Sequence, residues 1–228
     1  MKYAWFIWSL AFLFIWLVLF ILKKDFRKEM FLVSLSTMPL GLTEPLFVPE
    51  YWNPPTLFDL AQKTGFDIES LIFCFAIGGV SSILYNLVFG RKFASLCRVE
   101  QDSPRHRWHW LILLSPVILF VPLVAFTSLN HIYCGIIAMF FGAIAILICR
   151  PDLKIKIWVG GLLFLVLYSI FFFSLMLVLP NYVQHVWNLE KLSGILILDV
   201  PIEEFLFAFT FGMLWSSLYE HVAWKKII

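Results

Sequence analysis

The chain has 228 residues, of which 61% are hydrophobic, 18% aromatic and only 14% charged, and its mean hydropathy is +0.89. An ordinary soluble domain has roughly 25% charged residues. The composition therefore excludes a soluble globular domain, a disordered chain and a nucleic-acid-binding protein, and it indicates an integral membrane protein. The net charge of +2 says little as a total, but the positions of the charges are informative.

Seven apolar segments are long enough to cross a membrane, because a spanning helix needs about 20 apolar residues. They are expected to be helices, since backbone polar groups in lipid must be hydrogen-bonded within the segment. The first lacks the basic start and the cleavage site of a signal peptide, so we expect it to be retained. Prolines within the second and fourth segments predict kinks or local unwinding. The segments are residues 3–22, 30–48, 67–89, 108–127, 131–149, 155–179 and 199–222, and the prolines are Pro39, Pro45, Pro116 and Pro122.

The distribution of Lys and Arg predicts the orientation in the membrane. With seven spans, the connections 23–29, 90–107 and 150–154 share one side with the C-terminus. Counting Lys156 at the edge of its span, this side holds 14 of the 17 basic residues. The positive-inside rule places that side in the cytoplasm, so we expect a multi-pass protein of the cell membrane with its N-terminus outside.

The cysteines and histidines are expected to form neither a disulfide framework nor a metal site. The four cysteines are scattered and include no C-x-x-C pair. His106, His109 and His221 are expected to be surface residues on the cytoplasmic side. No metal and no other cofactor is therefore predicted, and the chain has no G-x-G-x-x-G dinucleotide motif.

An internal repeat aligns residues 67–88 with residues 201–222. Nine of these 22 aligned positions are identical, and Glu69 falls on Glu203. The two copies have the same orientation, which predicts an all-α membrane protein with seven helices in a parallel three-plus-one-plus-three repeat. In repeated membrane folds the site often lies where the repeats meet, so we expect both glutamates to approach that interface.

The predicted organisation is a single membrane domain over residues 1–228. Within it, residues 1–90 form the first three-helix repeat and residues 91–130 form a connector that contains the fourth span. Residues 131–228 form the second three-helix repeat, which carries the acidic motif described next.

The strongest candidate for chemistry is the motif Asp199-Val-Pro-Ile-Glu-Glu204. Pro201 suits the first turn of a helix, so Glu203 and Glu204 would lie at the start of the last span. Acids there also complement the helix dipole without any catalytic role. In the first copy, Asp67 is expected to cap a helix. Glu44 lies deeper in an apolar segment, where a charge is costly, and we expect it to be buried within the helix bundle.

The sequence Val200-Pro-Ile-Glu-Glu-Phe-Leu-Phe-Ala-Phe209 resembles the signature of the membrane-embedded, heterodimer-type lycopene cyclases. In that family a P-x-E-E motif opens an apolar, Phe-rich helix, and a three-span repeat is used twice. This chain looks like the fused, single-chain form. Its first copy departs from the family pattern, because Asp67 stands where the family has Pro and Ser70 replaces the second Glu.

The resemblance implies an isomerase of carotenoid biosynthesis that works by acid–base catalysis, without net redox and without a cofactor. One Glu would protonate the terminal C=C of lycopene, a six-membered ring would close on the cation, and a second carboxylate would remove a ring proton. Aromatic faces would stabilise the cation. The candidate catalytic residues are Glu203, Glu204, Glu69 and Glu44, with Glu203 or Glu204 as the acid. The candidate substrate-binding residues are Trp52, Trp187, Phe207 and Phe73.

Two other functional classes require sequence features that the chain lacks, and two more stay open. A retinal protein needs a Lys in the last span, and none lies between Asp199 and Val222. A membrane prenyltransferase needs Asp-rich motifs that the chain lacks. A small proton-coupled transporter and a non-catalytic partner of carotenoid enzymes stay open. The expected partners are a lipophilic polyene from the bilayer and membrane lipid, but no nucleic acid. Homo-oligomerisation, association with other carotenoid enzymes and the type of ring also stay open.

Overall fold

The protein is all-α apart from two short two-stranded ribbons, in a computed structural model that describes residues 2–228. One ribbon pairs Phe93–Ser95 with Lys225–Ile227 and the other pairs Leu196–Ile197 with Val200–Pro201, both antiparallel. The helices are α1 (Ala4–Leu22), α2 (Arg27–Thr37), α3 (Leu60–Thr64), α4 (Ile68–Phe89), α5 (Arg98–Gln101), α6 (His109–Phe126), α7 (His131–Cys149), α8 (Lys154–Val178), α9 (Tyr182–Val186) and α10 (Ile202–Val222). The strands are β1 (Phe93–Ser95), β2 (Leu196–Ile197), β3 (Val200–Pro201) and β4 (Lys225–Ile227).

Five helical segments are long and apolar enough to cross a membrane. They agree closely with five of the predicted segments and support the membrane class. Helix α10 coincides with the predicted last segment but is not one of the five, because its ends carry polar side chains. The five are Ala4–Leu22, Ile68–Phe89, Pro104–Phe126, His131–Cys149 and Pro151–Val178.

The predicted segment 30–48 is not one continuous α-helix. Helix α2 ends at Thr37, and Met38–Leu46 follows as a 3₁₀ helix that begins next to Pro39 and contains Pro45. The unwinding predicted at these prolines is therefore confirmed, because proline removes a backbone donor and clashes with the preceding turn. The prolines of the fourth predicted segment lie inside α6, which runs unbroken.

The chain forms two compact units. The first contains the residues up to Val80, Asn130–Ile132 and Leu167–Phe205, and the second contains Ser81–Leu129, Tyr133–Val166 and Leu206–Ile228.

In the first unit, small residues let α2 approach α4 closely. The indole Nε1 of Trp16 donates a 2.9 Å hydrogen bond to Ser34 Oγ. A Cβ on Gly79 would collide with both of these side chains, and a Cβ on Gly78 would collide with Thr37. The two glycines therefore allow the polar groups of α2 to be buried against α4.

The second unit contains both an apolar cluster and buried charges. Lys156 forms an ion pair with Glu220, and both side chains are fully buried. Asn86 Nδ2 donates a further hydrogen bond of 3.4 Å to Glu220 Oε1. Arg150 makes two hydrogen bonds to Asp152, of 2.8 and 2.6 Å. The apolar cluster contains Ile112, Ala143, Ile146, Cys149, Leu153, Ile157, Met213 and Leu214.

Candidate functional site

Glu204 lies in the first turn of α10, as the sequence predicts, and three donors converge on its carboxyl group. Tyr168 Oη donates a hydrogen bond of 2.7 Å to Oε2, and Trp187 Nε1 donates one of 2.7 Å to Oε1. The hydroxyl of Tyr51 donates a third, also to Oε1. Glu204 is only 4% exposed, so these donors replace the water that would otherwise solvate the carboxyl group.

Two paired loops carry two of these donors. Trp52 and Trp187 form an isolated antiparallel bridge. On either side of it, Asn53 N donates to Val186 O at 2.7 Å and Asn188 N donates to Tyr51 O at 2.9 Å. Burial raises the pKa of Tyr51 well above its ordinary value. Its phenol therefore stays neutral and remains a donor to the carboxyl group.

Glu69 and Glu203, which the repeat aligns, hold the loops that precede their helices. Glu69 Oε1 accepts a 2.7 Å hydrogen bond from Leu57 N, and Glu203 Oε1 accepts a 2.9 Å hydrogen bond from Ser193 N. Both glutamates are fully buried. Each glutamate thus binds a backbone N–H of the loop that precedes its own helix.

A second group of carboxylates lies in the same unit, around the start of α4. Asp67 Oδ1 accepts a 2.5 Å hydrogen bond from Ser70 N, which confirms the predicted helix cap. Glu44 lies beside Asp67 and within reach of Ser70 and Trp52. It is 7% exposed, which confirms its predicted burial. Its Oε1 has no hydrogen-bond partner among residues 2–228.

Aromatic rings pack in this unit beside both carboxylate groups. The ring centroids of Trp52 and Trp187 are 5.2 Å apart, and those of Trp5 and Trp52 are 4.7 Å apart. Phe73 packs on Trp5 at 4.9 Å and on Tyr168 at 6.4 Å. Three of the four aromatic residues predicted to bind substrate, Trp52, Trp187 and Phe73, are therefore brought together in one cluster.

The fourth predicted aromatic residue, Phe207, belongs to the second unit, where it packs against Phe211 at 5.5 Å. Tyr and Trp near the ends of spans commonly mark a membrane interface, but four of them, in the connections 49–66 and 180–198, are buried. These four are Tyr51, Trp52, Tyr182 and Trp187.

Sequence reasoning missed Tyr168, Tyr51 and Trp5. Tyr168 carries a hydroxyl in the middle of the apolar helix α8. Such an isolated polar group in a membrane span indicates a candidate functional residue. Tyr51 and Trp5 gave no comparable signal, because an aromatic residue near a membrane surface has an ordinary explanation.

The prediction that His106, His109 and His221 are surface residues is wrong. They are 7%, 5% and 0% exposed, respectively. His106 and His109 lie with the buried Cys149, and one potential ligand atom from each of the three is within 4.8 Å of the others. The prediction failed because these histidines lie at or beside the ends of apolar helices, where Trp224 packs against His106 and His109.

A family model described as Lycopene cyclase matches residues 130–222. The matched range includes Tyr168, Trp187, Glu203 and Glu204. Comparisons with curated proteins and with solved structures gave no match. Over residues 130–222 the chain is therefore similar to the lycopene cyclase family.

Proposed function

We propose that this protein is a carotenoid cyclase that closes an ionone-type ring at the end of lycopene or a similar polyene. The observation that carries the proposal is Glu204, which lies within the matched range and is held by three buried donors. The reaction is an isomerisation, because one proton is added, one C–C bond forms and one proton is lost. No electrons are transferred to or from the protein.

Glu204 is the proposed acid. When its proton moves to the terminal C=C, negative charge develops on the carboxyl group. Donors that already point at this group stabilise the developing charge without reorganisation, which is an effective way to lower a barrier. Tyr51, Tyr168 and Trp187 supply these donors. Glu203 is assigned to hold the loop at Ser193, with no direct part in the proton transfer.

Glu44 is the proposed base. The neighbouring double bond attacks the tertiary cation and closes the six-membered ring, and a carboxylate must then accept a ring proton. Glu44 is buried, and its Oε1 is not engaged by any described residue. A proton returns from Glu44 to Glu204 before the next turnover.

The aromatic cluster is the proposed site for the cation. Trp5, Trp52, Phe73 and Trp187 present π faces and edges in a buried environment. A cation over such a ring is stabilised by about 0.5–2 kcal/mol, and the larger values apply where water is excluded. Exclusion of water also protects the cation from hydration, which would otherwise give an alcohol in place of a ring.

An apolar cavity of about 250 Å³ lies between α1 and α8, lined by residues that include Ile7, Trp8, Leu167 and Phe171. It is smaller than the ~300–1,000 Å³ that usually holds a drug-sized ligand. It therefore suits one end of a polyene, with the rest of the chain in lipid. The ring of Phe171 lies 6.1 Å from that of Tyr168, so this cavity is the proposed route to the carboxyl group.

The proposed membrane arrangement has seven spans in one domain, with the N-terminus outside and the C-terminus in the cytoplasm. Five spans have the required length and apolarity. Helix α10 and the segment formed by α2 with its 3₁₀ extension are proposed as the other two. The matching backbone hydrogen bonds of Glu69 and Glu203 support the parallel repeat. A multi-pass protein of the cell membrane follows from this arrangement.

The test is pigment analysis of lycopene-producing cells that express the wild-type chain, Glu204→Gln or Glu203→Gln. We expect cyclic carotene from the wild type and unchanged lycopene from Glu204→Gln, because the amide cannot give up a proton. Glu203→Gln keeps an oxygen that can accept the bond from Ser193 and should retain part of the activity. Glu190→Gln, at an exposed position, is the matched control.

Each variant must be quantified in the membrane fraction, so that loss of expression is not read as loss of catalysis. A wild-type chain that is abundant in the membrane and leaves lycopene untouched would argue against the proposed substrate. Full activity of Glu204→Gln would argue against the proposed acid.

A further inference from the structure

We propose that His106, His109, Cys149 and His221 form a zinc-binding site in the second unit. His106 Nδ1 lies 2.8 Å from Cys149 Sγ, and His109 Nδ1 lies 3.6 Å from the same sulfur. The site is separate from the residues of the proposed cyclase reaction, all of which belong to the first unit. It departs from the expectation that the chain holds no metal.

The spacing of the ligand atoms suits a tetrahedral ion. Zinc binds thiolate at about 2.3 Å and imidazole at about 2.0–2.1 Å, which places the two ligand atoms about 3.6 Å apart at a tetrahedral angle. The distance between His109 and Cys149 already has this value. The distance between His106 and Cys149 needs to widen by less than 1 Å, which a side-chain rotation supplies. Sulfur and imidazole together suit zinc better than magnesium or calcium.

Unpaired ring nitrogens distinguish this cluster from an ordinary thiol–imidazole hydrogen bond. His221 is fully buried, and neither of its ring nitrogens has a hydrogen-bond partner among residues 2–228. Its ring centroid lies 4.5 Å from that of His109, so rotation of the side chain brings it in as the fourth ligand. A buried, unpaired imidazole nitrogen is costly, and coordination would remove that cost.

The surrounding charges permit a cation at this position. The buried Arg150 is already engaged by Asp152 through two hydrogen bonds, and Arg105 lies 3.8 Å from Glu100. The guanidinium group of Arg150 also donates to Glu220 O at 2.9 Å and to Lys225 O at 2.6 Å. The positive charge of Arg150 is therefore directed toward these acceptors, and the Cys149 thiolate would contribute negative charge to the ion.

The proposed ion would join three elements that are distant in sequence. His106 ends the 3₁₀ turn Pro104–His106, and His109 begins α6. Cys149 is the last residue of α7, and His221 lies in the last turn of α10. The site would thus fasten one end of three helices, and four protein ligands would leave no open coordination position on a tetrahedral ion. The spacing His106-x-x-His109 is the signal that sequence reasoning overlooked.

The experiment measures zinc in the purified full-length chain by mass spectrometry, together with cobalt substitution followed by absorption spectroscopy. We expect one zinc ion per chain, and a thiolate-to-cobalt charge-transfer band when cobalt replaces zinc. Cys149→Ser and His109→Gln should lose the zinc, and Cys149→Ser should also lose the band. Cys97→Ser and His185→Gln, both at exposed positions, are matched controls and should keep both.

The cobalt spectrum of the wild-type chain decides the matter even if a variant fails to fold. A wild-type chain that takes up no zinc from zinc-containing buffer and gives no charge-transfer band with cobalt overturns the proposal. Zinc that is bound equally by wild type and Cys149→Ser overturns it as well, because such zinc lies elsewhere.

Discussion

The hydroxyl of Tyr168 donates a 2.7 Å hydrogen bond to Oε2 of Glu204, and both side chains are buried. The two residues are 36 positions apart, and the bond joins the middle of α8 to the start of α10. A tyrosine inside an apolar helix thus supports the carboxyl group to which we assign the proton transfer.

Tyr168→Phe should lower the rate of ring formation about 10- to 100-fold, because a hydrogen bond to a charged group is worth about 1.5–3 kcal/mol. The phenyl ring still fills the space, so the amount of folded protein in the membrane should not change. The measurement is the initial rate of cyclic carotene formation in membranes, normalised to the amount of this protein. Tyr3→Phe, at an exposed position, should have wild-type activity. An unchanged rate in Tyr168→Phe would show that this bond does not act in the rate-limiting step.

Glu44→Gln should strongly reduce the yield of cyclic carotene while the protein still folds. The amide has nearly the same shape as the carboxyl group but cannot accept the ring proton. The cation, once formed, would then lose a proton elsewhere or be captured by water. Pigment analysis should therefore show less normal product, accompanied by a new double-bond isomer or an alcohol. Glu50→Gln, at an exposed position, is the control, and a wild-type product profile in Glu44→Gln would refute the role of Glu44 as base.

Lys156→Met should destabilise the second unit, because it leaves Glu220 charged and buried without its cation. Loss of one partner of a buried pair typically costs about 3–5 kcal/mol. The double variant Lys156→Met with Glu220→Leu should recover most of the stability, since it leaves no unpaired charge. Thermal unfolding in detergent measures both effects.

Lys154→Met removes a neighbouring but exposed lysine and should unfold like the wild type, so it controls for the change in side-chain type. A double variant that is no more stable than the single one would show that Lys156 acts through packing and not through its charge.

Gly212→Ala should destabilise the protein, while Gly135→Ala should not. A Cβ at Gly212 would lie 2.7 Å from Phe164 Cβ and 2.9 Å from Gly160 O, whereas a Cβ at Gly135 meets nothing within 4 Å. Overpacking costs about 1–3 kcal/mol of stability, whereas replacement of a helical glycine by alanine stabilises the helix by about 0.5–1 kcal/mol. Opposite shifts of the unfolding temperature in detergent are therefore expected. Equal shifts would mean that α10 and α8 can separate freely at this contact.

Composition and hydropathy alone determined the membrane class and the five helical segments of spanning length. The reason is local, because a segment in lipid must satisfy its own backbone and only a helix does so within one run of sequence. The unwinding at Pro39 and Pro45 was also predictable, since proline acts on its own turn. The acidic start of α10 and the cap formed by Asp67 belong to the same class of local features.

Only the tertiary structure determined which side chains from distant parts of the sequence lie in contact. Tyr51 and Glu204 are separated by 153 positions, and His106 and Cys149 by 43, and no periodicity in the sequence encodes such contacts. Paired loops bring Tyr51 to Glu204, and packing at the helix ends buries the histidines that the sequence placed at the surface. Residue type and helical position are properties of the chain, whereas the convergence of donors on one carboxyl group arises from packing between distant elements.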